Sequence, residues 1–376
     1  MTAHLRTVYQ SQLTDAITSK FIDDVNGLRM HYLECGEGPV ILLLHGFPEL
    51  AFSWRKIMPL LADAGYRVIA PDQRGYGLTT GWNAGDAHLR DFRQMNLVHD
   101  VIAFCHRLNI SKVHALIGHD FGSPVAGFTA LMRPDMVRRL ICMSSPFSGV
   151  PALDFHGPAP HQILDTALAD LQPARKHYQW YYSGDTAAQD LAEAGQGLAS
   201  FLRGYYHLKS GDKLGPMPSV LTSPSPDEYA KLPGYYVMSR ELTMPMVVEQ
   251  ALEGRDVDTL DECAWLSSAE LDVYVSAFSE TGFQGALNWY RCVIDVRLLK
   301  DLGVFSGAAL SMPMAFVAGD KDWGVWQSPG ALEQMERAAS DKFMGTTLIN
   351  GAGHWVQQEQ PMATAECMLR LINTVS

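Results

Sequence analysis

The sequence lacks several features that would each have fixed a function class. Its six cysteines (Cys35, Cys105, Cys142, Cys263, Cys292, Cys367) form no C-x-x-C pair and no Cys/His cluster at zinc spacing, which excludes a ribbon-type metal site and a disulfide scaffold. Several lie inside apolar runs, as in V-I-A-F-C, where a free buried thiol is expected. No run reaches the 18 apolar residues of a membrane span. Met1–Lys20 is polar and mixed, without the apolar centre of a signal peptide. Internal repeats and low-complexity tracts are absent. Positive charge is also scarce, and a net charge of −12 argues against nucleic acid or an anionic membrane as partner. These absences suit a reducing, cytoplasmic compartment. What remains is a chain of 376 residues, 47% hydrophobic with 32 glycines, enough for one large α/β domain with an insertion.

The chain is organised around Gly118-His119-Asp120-Phe121-Gly122. Ahead of it, Lys112–Ile117 reads as a buried strand; behind it, Ser123–Met132 reads as a helix stopped by Pro134. Strand, Gly-x-nucleophile-x-Gly and helix make the nucleophile elbow of α/β-hydrolases, a sharp turn that presents one side chain at the top of a parallel sheet. The glycines allow strand and helix to come close. Asp stands where Ser is usual, and a carboxylate attacks alkyl carbon to give an ester that must then be hydrolysed.

Strands are expected at Phe21–Asp24 and Arg29–Glu34, around the hairpin signal Asn26-Gly27. Further strands are expected at Val40–Leu44, Arg67–Ala70, Arg139–Met143, Met314–Ala318 and Thr346–Ile349. Helices are expected at Trp54–Ala64, Asp91–Leu108 and Pro361–Ile372. This predicts a mostly parallel eight-stranded sheet with helices on both faces. Roughly 165 residues after Pro146 break the alternation. They hold helical pieces (Ile163–Tyr182, Ala187–Leu208, Met246–Leu252, Leu271–Ser279) and a Pro/Gly/Ser-rich loop, Ser210–Gly234. An insertion at this place, between the sixth and seventh strands, predicts a helical lid over the carboxyl ends of the strands. The expected organisation is an extension over 1–20 with no assigned role, a core over 21–145 and 309–376, and a lid over 146–308.

An Asp nucleophile needs a base to activate water, and the base needs an orienting acid. Asp322, in Gly319-Asp320-Lys321-Asp322, and His354, in Gly351-Ala352-Gly353-His354, follow two strands in the order nucleophile, acid, histidine. Asp320 is the alternative acid. The oxyanion of ester hydrolysis would be met by the main-chain N–H groups of Phe47, in H-G-F-P, and Phe121.

With H-G-F-P-E (45–49), G-Y-R-V-I-A-P-D-Q-R-G-Y-G (65–77), G-H-D-F-G (118–122), G-A-L-N-W-Y-R (285–291), D-K-D-W (320–323) and G-A-G-H-W-V-Q (351–357), the chain resembles the α/β-hydrolase-fold soluble epoxide hydrolases. The resemblance implies hydrolysis of an epoxide to a vicinal diol without metal or organic cofactor. It also implies that two lid tyrosines, Tyr290 and Tyr178, donate to the epoxide oxygen; Tyr181, Tyr182, Tyr205 and Tyr235 are alternatives to Tyr178. A phenol suits this task, because its pKa near ~10 keeps it un-ionised at neutral pH yet able to give its proton to an alkoxide. Two features depart from the family. Phe121 stands where Trp is usual, and the lid is longer, with the excess expected within Ala187–Ala269. A haloalkane or haloacid dehalogenase would share Asp120 and His354, but Phe121 offers neither an indole N–H for halide nor a guanidinium for a carboxylate. A non-catalytic receptor on the same fold would not need the full set. The expected partner is a small apolar or aromatic epoxide, given the Met, Phe, Trp and Tyr content of the lid; a homodimer is left open.

Overall fold

A computed structural model describes residues 3–150, 160–252 and 263–374. A helix, Ala3–Ser11, precedes strands β1 (Thr18–Val25), β2 (Leu28–Cys35), β3 (Val40–Leu44), β4 (Arg67–Pro71), β5 (Ala115–His119) and β6 (Leu140–Met143). After a long excursion that includes the short strands β7 (Arg175–His177) and β8 (Val237–Ser239), the chain returns to β9 (Met314–Gly319) and β10 (Phe343–Ile349). Eight of these strands form one sheet in the order β1-β2-β4-β3-β5-β6-β9-β10. The first two junctions are antiparallel and the other five are parallel.

Burial explains the pattern. Strands β5, β6 and β9 are buried at every residue, as expected where helices cover both faces of parallel strands. Edge strand β1 is largely open to solvent. Its hairpin with β2 turns at Asn26 and Gly27, both at positive φ (51° and 80°), as a tight two-residue hairpin loop requires. The eight-stranded, mostly parallel α/β-hydrolase sheet is therefore as expected.

Strand β5 lies further along the chain than the expected Lys112–Ile117. Gly118 and His119 pair with Cys142 and Met143, while Val113 keeps only an isolated bridge to Val137. The helix expected over Ile163–Tyr182 is broken. A helix over Pro160–Ala169 stops ahead of Pro173, which cannot donate to a continuing helix. Strand β7 then pairs with β8, and a second helix covers Tyr178–Ser183. Likewise Ala187–Leu208 divides into Ala187–Ala192 and Leu198–Leu208, where Gly197 adopts a φ of 83°. Of the residues expected to form the lid, 151–159 and 253–262, part of the expected excess, lie outside the described residues.

The amino-terminal helix is anchored to the core, burying Leu5 and Tyr9. The Tyr9 hydroxyl donates to Asp72 Oδ1 (3.2 Å) and accepts from the Phe52 amide (3.0 Å). Asp72 also accepts from the Ala51 and Leu78 amides and pairs with His31, so it stitches the turn after β4 to its neighbours. Tyr9→Phe would leave the buried Phe52 N–H without an acceptor. It should cost about 1–3 kcal/mol, read as a lower urea midpoint; an unchanged midpoint would contradict the anchoring.

Candidate active site

At the end of β5 the backbone reverses at Asp120, whose φ is 51°. This left-handed conformation is costly for a residue with a Cβ and occurs at sites the surroundings over-determine. Close approach on every side supplies that constraint. A Cβ on Gly118 would lie 2.0 Å from the Gly122 carbonyl, and one on Gly122 would lie 2.1 Å from the Leu44 carbonyl. The Asp120 side chain is thereby lifted clear of the sheet. Its Oδ1 accepts a 2.9 Å hydrogen bond from the Phe47 amide, in the loop after β3. The Phe121 amide lies beside the same oxygen: a Cβ on Gly46 would strike Oδ1 at 2.4 Å and the Phe121 nitrogen at 2.7 Å.

His354 comes from the loop after β10 and Asp322 from the loop after β9. The His354 Nδ1 is 3.1 Å from both Asp322 oxygens, and its Nε2 is 3.3 Å from Asp120 Oδ2. The first contact is a hydrogen bond. The second is an ion-pair distance without hydrogen-bond alignment. Asp322 is fixed in turn by the Gly324 amide at 2.7 Å. Asp320, the alternative acid, instead accepts from the Gly351 amide (2.9 Å) and so holds the histidine loop.

Above Asp120 sits the helix Gln284–Ile294, which carries N-W-Y-R. Three residues of that motif tie the helix down. Asn288 donates to the Ala84 carbonyl (2.9 Å), Trp289 to the Arg74 carbonyl (3.0 Å), and Arg291 pairs with Asp86 (2.8 Å). At the helix start Gly285 meets Gly75 backbone to backbone, where a Cβ would lie 2.9 Å from the Gly75 Cα. The fourth residue, Tyr290, is left facing inward, its ring 4.5 Å from Phe121 and 5.9 Å from Tyr178, centroid to centroid. Tyr178 begins the helix after β7. Its hydroxyl donates to Gln327 Oε1 (3.1 Å) and accepts from Gln179 (3.3 Å). Asp120, Phe121, Tyr178, Gln179 and Gln327 line a cavity of about 230 Å³, whose apolar wall includes Phe128, Val293, Leu299 and Leu302.

The structure therefore brings together Asp120, His354, Asp322, Tyr178, Tyr290 and the amides of Phe47 and Phe121. Among the alternatives, Tyr182 lies 5.0 Å from Tyr290 by ring centroid, whereas Tyr181 is engaged by Asp190 (2.9 Å).

One part of the site was not singled out from sequence. His119 Nδ1 meets Glu49 Oε2 at 2.5 Å, and its Nε2 meets the His354 carbonyl at 2.7 Å. The ring thus bridges Glu49 and the His354 carbonyl and pins the histidine loop from beneath. Glu49 also holds Gln357 (2.8 Å). Both residues stand within quoted motifs, but their pairing across 70 residues had no local signal. Nor had Gln327.

Charge is concentrated here. Burial opposes ionisation of Asp120, yet His354, Lys209 and His119 together hold its carboxyl well below the usual carboxylate range. Asp322 is lowered by His354 in the same way, against its own burial. Burial and Lys209 depress His354, but Asp322 and Asp120 outweigh them and raise it to about 9. Burial first, and then nearby groups including Asp120, push the Tyr178 and Tyr290 phenols well above 10.0.

Because the His354 pKa is raised on folding, its ion pairs stabilise the protein fully below the ordinary histidine range, and that stability is lost as pH rises through about 9. The His354 imidazole should titrate near 9 by NMR in the resting protein, and Asp120→Asn should lower that midpoint. A midpoint that the substitution leaves in place would contradict the coupling.

The matching family model, described as alpha/beta hydrolase fold, covers residues 39–361. Epoxide hydrolase B of Mycobacterium tuberculosis is 32% identical over 339 residues, 89% of this chain and 91% of that protein. An epoxide hydrolase from an endophytic Streptomyces superposes with a TM-score of 0.76 at 28% identity, covering 96% of each chain. Epoxide hydrolase I of potato, Solanum tuberosum, superposes with a TM-score of 0.71 at 29% identity, covering 95% of this chain and 99% of that one. The chain belongs to the epoxide hydrolases of the α/β-hydrolase fold.

Proposed function

We propose that the protein hydrolyses an epoxide to a vicinal diol through a covalent ester on Asp120. The observation that carries this is the 2.9 Å hydrogen bond between the Phe47 amide and Asp120 Oδ1, with the Tyr178 phenol on the wall of the same cavity and the Tyr290 ring packed on Phe121. It makes Oδ1 the oxygen that later becomes the oxyanion and leaves Oδ2 free to attack. Oδ2 displaces the epoxide oxygen from carbon, and the electron pair of the breaking C–O bond takes a proton from Tyr178 or Tyr290. General acid help of this kind is worth about 10²–10⁴ in rate. His354, oriented by Asp322, then takes a proton from water. The hydroxide oxygen adds to the Asp120 carbonyl carbon, the oxyanion is met by the Phe47 and Phe121 amides, and the Cγ–Oδ2 bond breaks. The diol leaves with the proton that His354 returns, and the acid proton left on Asp120 passes back to the tyrosine phenolate, so that Asp120 is again a carboxylate and the tyrosine a phenol.

We read the chain as a core of 21–145 and 309–376 with a helical lid over 146–308; the 5.9 Å ring contact between Tyr178 and Tyr290, both from that insertion, supports this reading. No metal or organic cofactor enters the scheme. Phe128, Val293, Leu299 and Leu302 around the cavity favour a small apolar or aromatic epoxide. The six free cysteines, all buried, support a reducing compartment and with it a cytoplasmic location.

His354→Gln should trap the ester, seen on an aryl epoxide as a gain in intact protein mass equal to one substrate. No adduct on a substrate that the unmodified enzyme turns over would refute the two-step scheme. Tyr290→Phe should slow ring opening by about 10²-fold or more without changing the mass of any adduct formed, and an unaltered rate would remove that phenol from the site.

A further inference from the structure

Lys209 follows the helix Leu198–Leu208 and is only 5% exposed, unusual for lysine unless it is paired. None of the ion pairs or side-chain hydrogen bonds found among the described residues involves its ammonium. Three rings surround it instead. Its Nζ lies 5.4 Å from the centroid of Tyr205, 5.1 Å from Tyr236 and 5.3 Å from Trp355. Ring faces attract a cation without neutralising it, so its charge persists in the site.

That charge is held against the histidine loop. The Lys209 carbonyl accepts from the His354 amide at 2.8 Å. Trp355, part of the cage, lies 4.7 Å from the His354 ring by centroid. The backbones interlock as well, since a Cβ on Gly353 would meet the Lys209 carbonyl oxygen at 2.5 Å. Lysine and histidine therefore keep a fixed separation.

The two steps require opposite things of His354. In the resting site it faces two carboxylates, Asp120 and Asp322, which favour the imidazolium. The second step needs neutral imidazole, because only an unprotonated nitrogen can take a proton from water. Esterification neutralises Asp120, and the balance then falls to Asp322 on one side and Lys209 on the other. We propose that Lys209 is a positioning residue for the second step: its caged, unpaired ammonium drives the proton off His354 once Asp120 is esterified, making the histidine a base only when water must attack. The inference rests on the ester mechanism proposed above.

The other charged groups around His354 are accounted for. His119 lies 5.1 Å away, ring to ring, and is paired with Glu49. Glu359 accepts from the Gly211, Gly353 and Trp355 amides, and burial pushes it up to about 7, so it titrates in the same range. The same midpoint shift measured in a Glu359→Gln background separates its contribution from that of Lys209.

The test is single turnover of styrene oxide by excess full-length enzyme, with ester formation and ester hydrolysis followed separately by intact mass across pH. Lys209→Met keeps the side-chain length and suits the aromatic cage. It should raise the pH midpoint of ester hydrolysis by on the order of one unit, the scale expected for removing one nearby charge. At pH values below that midpoint this is a slowing of about tenfold in that step, so that ester accumulates there, and Lys209→Arg should restore the midpoint. An unmoved midpoint, or an equal fall in both steps, would reduce Lys209 to a clasp between lid and core and overturn the proposal. Should Lys209→Met fail to fold, Lys209→Gln carries the same expectation. In the unmodified enzyme, too, His354 must titrate lower in the ester than at rest, and an equal or higher value overturns the idea. If His354→Gln forms no ester, the proposed function falls and this inference with it, whereas an ester there with an unmoved Lys209→Met midpoint sinks the inference alone.

Discussion

The organising constraint is the left-handed backbone at Asp120. Outside a hairpin turn such as Asn26, a residue with a Cβ rarely adopts a φ of 51° unless its neighbours hold it there. Here Gly118, Gly122 and Gly46 remove every Cβ that would keep strand, helix and the loop after β3 apart. Once those backbones close, the carboxylate can point only upward, into a place where an amide N–H already waits. The histidine and its acid arrive by the same logic from the ends of β10 and β9. The parallel order β3-β5-β6-β9-β10 sets all three loops on one edge of the sheet, although the residues are far apart in sequence.

The other half of the site comes down from above. N-W-Y-R works as a unit in which Asn288, Trp289 and Arg291 bind the helix to the loops after β4, so that Tyr290 is aimed by its neighbours. Tyr178 is placed differently, at the first turn of a short helix fixed by the β7–β8 pair. Two phenols thus approach each other from independent supports, their rings 5.9 Å apart by centroid, each held un-ionised by burial. In the proposed mechanism this arrangement puts proton donors on one side of the substrate and an ionised carboxylate on the other, as backside opening of a strained ring requires.

Much of this was legible in the sequence because it is local. The apolar run Val40–Leu44, the Gly-x-Asp-x-Gly turn and the order of Asp120, Asp322 and His354 each carry their own reason. Asp322 is preferred to Asp320 on the glycine-x-x-Asp spacing, and it is the Asp322 carboxylate that lies 3.1 Å from His354 Nδ1. What escaped was non-local or masked by helical composition. Ile163–Tyr182 looks helical throughout, but Pro173 and the pairing of β7 with β8 across 60 or so residues divide it. The Glu49–His119 pair and the aromatic cage of Lys209 exist only after folding, since no spacing rule links residues on separate elements. The amino-terminal helix had the right periodicity, yet its anchor, Tyr9 on Asp72, could not be read from periodicity.

The central claim is that an enzyme oxygen, not one from solvent, enters the first diol. A single turnover in water enriched in heavy oxygen tests it most directly. The account predicts an unlabelled diol, with the heavy oxygen recovered in the peptide that carries Asp120. A labelled diol from that first turnover, with Asp120 unlabelled, would mean that water attacks the epoxide itself and would contradict the account.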